Sequence, residues 1–493
     1  MDLERFRAAL GRRLGLSFDD AKLGMLEDTL RRRLEATGGA AESYLAHLEA
    51  EPAREEIASL AGELTVAETY FFRNADQFRA LVEAALPARM EARERERDRS
   101  LSLLSAGCAS GEEAYSLAIA LRERALDPSW GVSITAVDVN PAMLDKARRG
   151  RYSSWALRET PPEIQRRWFR EEGREVLVAD EIRALVRLEE RNLIDDDPEL
   201  WRPDAYDVVL CRNVIMYFLP DVARRVVERV ARALAPGGFL FLGHAETLRG
   251  VSQSFHLRHT HGAFYYQRKE GAEPRARVAA DPPARSLAAF VDGSDGWVDA
   301  IRKASQRIEA LARAPDPRAP GPEEPARWDL GKALELFERE RFADALAVVD
   351  GFPPQAARDP DVLLLRAALL THAGRLAGAE DACRSLLELD ELSAGAHYLL
   401  ALCREGAGDL GAAVEHDQVA AYLDPAFAMA RLHLGLLRRR GGEREAARRE
   451  LEQALALLER EDASRLFLFG GGFGRDALTA LCRAEIAACG GGA

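Results

Sequence analysis

Gly374, Gly408 and Gly442 stand 34 residues apart in the last third of this 493-residue chain. Two further columns keep the same step: Ala345, Ala379, Ala413 and Ala447, and Ala333, Ala367, Ala401 and Gly435. Ala-rich helices match such columns by chance, but three aligned columns across the repeats point to a true period. A unit of this length with small residues at fixed places is a helix pair of the tetratricopeptide kind. The small residues let the two helices approach, and the glycine ends the first helix at its turn. One pair cannot bury its apolar face alone, so the pairs must stack. The repeats are expected over 326–462, with Glu340 in the glycine place of the first. The tail, 463–493, is expected to supply a capping helix over the last repeat's apolar face.

Residues 100–268 follow a different pattern. Apolar runs (SLSLLSAG, SITAVDVN, YDVVLCRN, GGFLFLGHAE) alternate with amphipathic helical stretches (EEAYSLAIALRERAL, PDVARRVVERVARAL). Continuous apolar strands alternating with helices imply a mostly parallel sheet covered on both faces. Residues 1–82 are expected to be all-helical: Leu23, Leu26, Leu30 and Leu34 keep helical spacing and Gly38 stops it. The sheet domain then occupies 83–268. Residues 269–325, rich in Pro, Ala, Gly and charge, read as a flexible linker with one helix placed around 297–313.

The net charge of −13 opposes a bulk electrostatic drive toward nucleic acid or anionic lipid. The six cysteines include no CxxC, which argues against a disulfide framework or a zinc site and suits a reducing cytoplasm. The N-terminus, MDLERFRAALGRRL, lacks the apolar core of a signal peptide, and no stretch approaches the apolar length of a membrane span.

The chemistry begins at SAGCASGEEAYSLAI, residues 105–119. A glycine-containing turn at the carboxyl end of a first strand is where open α/β sheets bind ligands. Here the glycines are Gly107 and Gly111, and Glu112 and Glu113 follow at the helix start. A carboxylate there suits the helix dipole and is explained by capping alone. It would also repel a pyrophosphate and welcome a positively charged ligand. S-adenosylmethionine is such a ligand, with a sulfonium, an ammonium and no phosphate. The second strand ends in Asp138, which either accepts the two ribose hydroxyls or caps the helix beginning at Pro141.

Over residues 1–268 the chain resembles the CheR-type chemoreceptor glutamate methyltransferases. The resemblance is carried, in the family's order, by LTVAETYFFRNADQF (64–78), SAGCASGEEAYSLAI, AVDVNPAMLDKARRGRYS (136–153), NL (192–193), CRNVIMYF (211–218) and LAPGGFLFLGHAE (234–246). It implies a helical N-terminal receptor-docking domain and a Rossmann-like α/β methyltransferase domain. A small antiparallel β-subdomain would be inserted at about 160–190. Carried over by position, the contacts to S-adenosyl-L-methionine would be Thr69, Arg73, Glu112, Asp138, Asn192, Leu193, Arg212 and Asn213. Arg73 and Tyr217 would face the reacting centre as catalytic residues, although IMYF also reads as simple core. Ala67 departs from an asparagine often found there, which removes one cofactor hydrogen bond.

The acceptor implied by the resemblance is a glutamate side chain of a chemoreceptor's cytoplasmic helices. A free glutamate has a pKa of about 4.3, so it is already an anion at neutral pH and needs no general base. It needs alignment, partial desolvation and a group holding its second oxygen. The sequence agrees, showing no nucleophile motif, no metal-ligand cluster and no amine-acceptor motif of the [DN]PP[YF] kind. His244, His259 and His261 receive no role. Residues 1–40 carry eight Arg/Lys against seven Asp/Glu, so only a local cluster of Arg12, Arg13 and Arg31–Arg33 could aid docking. The inserted segment, WFREEGREVLVADEIRALVRLEE, lacks the Gly-rich loop of family members that bind a receptor-tail pentapeptide. The repeats would then supply contact to an unidentified protein or peptide. The competing reading is a catalytically vestigial scaffold that acts through its repeats.

Overall fold

The computed structural model describes residues 3–50, 53–65, 68–244, 246–270, 330–339, 341–471 and 473–490. Ala67, Glu340 and the segment read as a linker, apart from its first two residues, lie outside them. The chain divides into two compact units, one of 1–246 with 254–276 and one of 247–253 with 277–493.

The first unit opens with four helices, α1 (Leu3–Leu14), α2 (Leu23–Thr37), α3 (Ala41–Glu49) and α4 (Arg54–Leu64). Their apolar stripes close a core of their own around Phe6, Leu10, Leu26, Leu30 and Leu45. Gly38 ends α2 in the left-handed conformation, as its position predicts. The arginines of this region are neutralised within the domain. Arg12 pairs with Glu49, Arg31 with Asp28, Arg32 with Glu63, and Arg33 with Glu56 at 2.6 Å.

Helices α5 (Ala75–Ala80) and α6 (Leu86–Arg95), joined by a π turn, lead into the sheet domain. Its strands are β1 (Ser100–Ala106), β2 (Gly131–Asp138), β3 (Arg151–Ser153), β4 (Phe169–Glu172), β5 (Glu175–Val178), β6 (Val186–Glu190), β7 (Tyr206–Cys211), β8 (Leu234–Leu242), β9 (Phe255–Thr260) and β10 (Ala263–Arg268). Seven form one sheet in the order β6-β2-β1-β7-β8-β10-β9. The pairs β6–β2, β2–β1, β1–β7 and β7–β8 are parallel, and β10 and β9 add antiparallel strands at one edge. Helices α7 (Glu112–Glu123), α8 (Pro141–Arg149), α9 (Pro162–Trp168), α10 (Asp180–Arg183) and α11 (Pro220–Ala233) connect them. The chain leaves β1 toward β2 on one side, and β7 arrives on the other. The carboxyl ends of β1 and β7 therefore form a topological switch point, where a crevice opens.

The inserted sheet differs in extent from the sequence expectation. It is β3-β5-β4, spanning 151–178, while β6 pairs with β2 in the main sheet. The expected 160–190 segment starts too late because RYS at 151–153 is too short to read as a strand. The turn between β4 and β5 is two residues, Gly173 and Arg174.

Beneath the crevice, Asp207 is fully buried on β7. Its carboxylate accepts from Arg89 Nε and Nη2 (3.1 and 2.9 Å), Arg93 Nε (2.9 Å) and Ser102 N (3.0 Å). This cluster fastens α6 to the centre of the sheet. A buried charge is tolerable only when paired and hydrogen-bonded in this way.

In the second unit, helix pairs follow one another in the 34-residue step. First helices are Pro360–His372, Ala394–Gly406 and Ala428–Arg440, and second helices are Leu376–Leu389, Leu410–Leu423 and Arg444–Leu458. Gly331–Glu338 and Phe342–Asp350 precede them as a further pair. Ala345, Ala379, Ala413 and Ala447 are fully buried, as are Ala333, Ala367 and Ala401. At Gly435 a Cβ would lie 2.7 Å from Leu451 Cγ, so that place admits no side chain. Gly374, Gly408 and Gly442 have φ of 69°, 82° and 84°, a left-handed turn that favours glycine. The unit is therefore a tetratricopeptide-like array. Its tail does two things where one was expected. Arg475–Gly490 packs on the last pair, with Glu485 paired to Arg439, as a cap would. Ala463–Phe469 instead lies against the first helices of the pairs.

Candidate active site

The turn after β1 owes its shape to its neighbours. Gly107 has φ 79°, and a Cβ there would lie 2.5 Å from Val214 Cγ2, so only glycine lets the turn pass the loop after β7. Gly107 N and Cys108 N both donate to Val137 O, at 2.8 and 3.0 Å. Asp138 then locks the turn to the end of β2. Its Oδ2 accepts from Ala109 N and its Oδ1 from Asn140 N, both at 2.8 Å. Asp138 is not the cap of α8; Asn140 is, accepting from Ala142 N and Met143 N. Both Asp138 oxygens keep a lone pair beyond these bonds.

The loop after β7 is held by a residue that the sequence reading passed over. Glu246 is buried, and its carboxylate accepts from four backbone N–H groups. Oε2 takes Asn213 N (2.6 Å) and Gly243 N (2.7 Å), and Oε1 takes Val214 N (2.9 Å) and Met216 N (3.2 Å). The YFFRN turn is anchored as firmly. Phe72 N donates to Ser116 Oγ of α7 at 2.9 Å, and Arg212 Nη2 donates to Arg73 O at 2.5 Å. Four non-glycine residues here have positive φ: Phe72 (57°), Asn74 (62°), Ala109 (46°) and Asn213 (58°). Backbone strain of this kind persists where surrounding bonds over-determine it, and it gathers at functional sites.

Two cavities meet at this point. The first, about 220 Å³, is lined by Asp138, Asn192, Leu193, Met143, Val139 and Phe218 among others. The second, about 240 Å³, is lined by Thr69, Arg73, Glu113, Arg212, Cys108 and His244 among others. Gly107, Ala109, Asn213 and Tyr217 line both. The structure thus brings together every residue expected at the site except Glu112. That side chain is buried beside Ser110, whose Oγ donates to it at 2.7 Å, and lines neither cavity. Glu113 stands in the second cavity instead. Consecutive helical residues point about 100° apart, and the pair EE alone does not say which of them faces the crevice.

The charges are buried and matched. Glu113 accepts from Ser105 Oγ at 2.7 Å and lies 3.4 Å from Arg212 Nη1. Burial raises its pKa above the ordinary carboxylate value, against the pull of Arg212. Burial also raises Asp138, against the pull of the Asn140 and Ala109 N–H groups. Arg73 extends along its own turn, donating from Nη1 to Glu68 O at 2.9 Å. Asn192 donates to Arg13 O at 2.9 Å, which leaves its carbonyl side toward Ile194 N and the cavity edge.

These residues fit S-adenosylmethionine. The first cavity offers apolar walls for a purine and the Asp138 carboxylate for ribose hydroxyls. The second offers the Glu113 carboxylate for a cationic amine. Arg212 Nε is buried without a partner, an unused donor beside the same cavity. The turn crowds Gly107 against Val214 and offers carboxylates, which is the wrong set for a pyrophosphate.

Comparison with known proteins agrees with this geometry. Residues 67–264 match the family model described as CheR methyltransferase, SAM binding domain, and residues 1–65 match CheR methyltransferase, all-alpha domain. The chain is 34% identical over 281 residues to chemotaxis protein methyltransferase 2 of Vibrio cholerae, covering 55% of this chain and 94% of that protein. It is 33% identical to the chemotaxis protein methyltransferase of Klebsiella aerogenes, covering 52% and 86%. It is 29% identical over 465 residues to the probable biofilm formation methyltransferase WspC of Pseudomonas aeruginosa, covering 92% and 98%.

Proposed function

The chain belongs to the CheR methyltransferase family and is an S-adenosylmethionine-dependent methyltransferase; from that premise we propose that it esterifies glutamate side chains on the cytoplasmic helices of chemoreceptors. The observation that carries this reading is the second cavity, in which Arg73 and Tyr217 stand beside Glu113 and Arg212. The cofactor supplies an electrophilic methyl group next to a positive charge. The protein's own work is to place an anion in line with it. Arg73 holds one oxygen of the acceptor carboxylate by a charge-assisted hydrogen bond, and Tyr217 donates to the same group. The acceptor is ionised at neutral pH, so no residue has to remove a proton. Thr69, Glu113, Arg212 and Asn213 hold the amino-acid end of the cofactor, and Asp138, Asn192 and Leu193 the nucleoside end. Glu246 and Gly107 keep the two loops where those contacts are possible.

The helical N-terminal domain docks the receptor. Because Arg12 and Arg31–Arg33 are paired within the domain, docking draws on shape and apolar contact more than on net charge. The two-residue turn of the inserted hairpin leaves no room for a Gly-rich peptide-binding loop, so recognition of a receptor-tail peptide falls outside it. The repeats bind a further protein or peptide and place the enzyme at its array. Relatives matched along only about half of the chain carry chemotaxis names, while two relatives matched along 92% of it carry a biofilm name. That match along nearly the whole chain makes a receptor tied to biofilm formation the first place to look. The protein works in the cytoplasm; among the described residues no helix is long and apolar enough to cross a membrane.

The test is transfer of a radiolabelled methyl group to a receptor signalling fragment, with base-labile release of the label and calorimetry of S-adenosylmethionine and S-adenosylhomocysteine. Release of methanol on mild base marks a glutamate ester. Tight cofactor binding with no transfer to any receptor fragment would instead favour the vestigial scaffold.

A further inference from the structure

The face made by the first helices of the repeat pairs is covered by the chain itself. Phe467 meets Phe337 of Gly331–Glu338 edge-on, with ring centroids 4.7 Å apart. Leu468 O lies 3.2 Å from His372 Nε2 at the end of Pro360–His372. The Phe469 ring packs edge-on against Tyr398 of Ala394–Gly406 (5.7 Å) and against Phe427, the cap of Ala428–Arg440 (5.1 Å). Tyr398 Oη donates to Phe469 O at 3.0 Å. Gly395 leaves a notch for this ring, since a Cβ there would lie 3.0 Å from Phe469 Cζ. Arg465 stacks 4.5 Å over the Phe427 ring and pairs with Asp424 at 2.9 Å, a carboxylate that also pairs with Arg249 of the same unit.

Four residues, Arg465, Phe467, Leu468 and Phe469, thus touch the first helix, or its cap, in all four pairs. A cap packs on the last pair, as Arg475–Gly490 does. The contacts also have the form of peptide recognition: a buried Phe469 and a half-buried Phe467 packed on rings of the receiving helices, main-chain carbonyls facing His372 and Tyr398, and a cation on an acidic and aromatic site. The sequence after the segment is GGGFG, residues 470–474, and glycine is the residue with the widest choice of backbone conformations. Stacked helical repeats present an extended concave face for partners, and here it holds the short helix Ala463–Phe469.

We propose that this face is a peptide site held shut by the chain's own residues 465–469, and that it accepts in their place a partner's short apolar segment of the form Arg-Leu-Phe-Leu-Phe. The proposal rests on the repeats being a partner-binding part, and it adds what they bind and what guards them. The partner then competes with a tethered copy of its own motif, so its apparent affinity is the intrinsic one reduced by the fraction of time the site is open.

The test uses the full chain and a fluorescent synthetic peptide of residues 461–471, read by anisotropy. The Phe467→Ala/Phe469→Ala variant weakens the tethered segment and leaves the receiving face intact. It should bind the peptide about tenfold or more tightly than wild type, and the same peptide with both phenylalanines replaced by alanine should not bind. Adding Gly395→Val, which fills the notch, should abolish the gain. Equal binding by wild type and variant would overturn the guard and leave the peptide site standing. Binding by neither would overturn both. Hydrogen exchange on the wild-type chain decides the matter if the variant does not fold. The amides of 465–470 should exchange about tenfold or more faster than those of Ala394–Gly406, and exchange at one common rate would overturn the proposal.

Discussion

Arg73→Ala should lower methyl transfer far more than it weakens cofactor binding, because its proposed partner is the acceptor carboxylate. A charge-assisted hydrogen bond of this kind is worth about 1.5–3 kcal/mol, so turnover should fall roughly ten- to a hundredfold. Initial rates on a receptor fragment, set beside calorimetry of the cofactor, separate the two effects, and equal rates would remove Arg73 from the reaction. The two glutamates at the start of α7 allow a sharper comparison. Glu113 lines the second cavity and Glu112 does not. Glu113→Gln should therefore weaken S-adenosylmethionine by about 1–3 kcal/mol, while Glu112→Gln should leave its affinity nearly unchanged. The opposite order would return Glu112 to the site. Both carboxyls are raised by burial, so the type of residue and its burial do not distinguish them. Only the direction of the side chain does.

The loop after β7 and the repeat helices each depend on one polar arrangement. Glu246→Gln replaces two accepting oxygens by one oxygen and one amide NH2, a donor that faces backbone donors. The four N–H bonds cannot all survive, and a loss of about 1–3 kcal/mol in thermal or denaturant stability is expected, with weaker cofactor binding because Asn213 moves. In the repeats, His433 lies 2.7 Å from Asp417 and 3.0 Å from Glu405, which Arg440 also pairs. Burial pulls the imidazole pKa down, but the two carboxylates outweigh it and push it up to about 9. A group raised in the folded state stabilises fully below its unfolded pKa, about 6.5 for histidine, and the contribution is lost as pH rises through the folded value. The repeat unit should accordingly become less stable between about pH 7 and pH 9. Denaturant melts across that range would show it, and His433→Gln should flatten the alkaline slope. An unchanged slope would mean that His433 does not titrate there.

At the scale of the whole chain the expected division of labour can be tested by shortening it. Every residue of the two cavities and of the Glu246 clamp lies within residues 1–268. A chain ended at Lys269 should therefore fold, melt cooperatively and bind S-adenosylhomocysteine with near-native affinity. It should methylate concentrated receptor fragment at a near-normal rate and fail in the cell if the repeats serve to localise it. A tether raises the effective concentration of the enzyme at its array without altering the catalytic step. A shortened enzyme that binds cofactor yet transfers no methyl to a fragment that the full chain methylates would show that the repeats take part in the reaction itself.

Periodicity made the architecture legible. The 34-residue columns fall on the helix contacts and turns of the repeats, and the alternation of apolar runs with helices gives the parallel part of the sheet. Both follow because burial imposes a period on whichever residues face a neighbour. The carboxyl end of the first strand could be named as the site for the same reason: strand order and handedness leave the crevice there. What the tertiary structure decided are pairings across long sequence separations and the directions of single side chains. Nothing near YDVVLC shows that Asp207 will meet Arg89 and Arg93, and nothing in GHAE shows that its glutamate will gather four N–H groups. The short strand at 151–153 owes its existence to its partner β5. The segment RLFLF is helical, as the tail was expected to be, and only its contacts show that it fills the face of the repeats. Such facts depend on which surfaces the folded chain brings into contact, and local propensity carries no information about that.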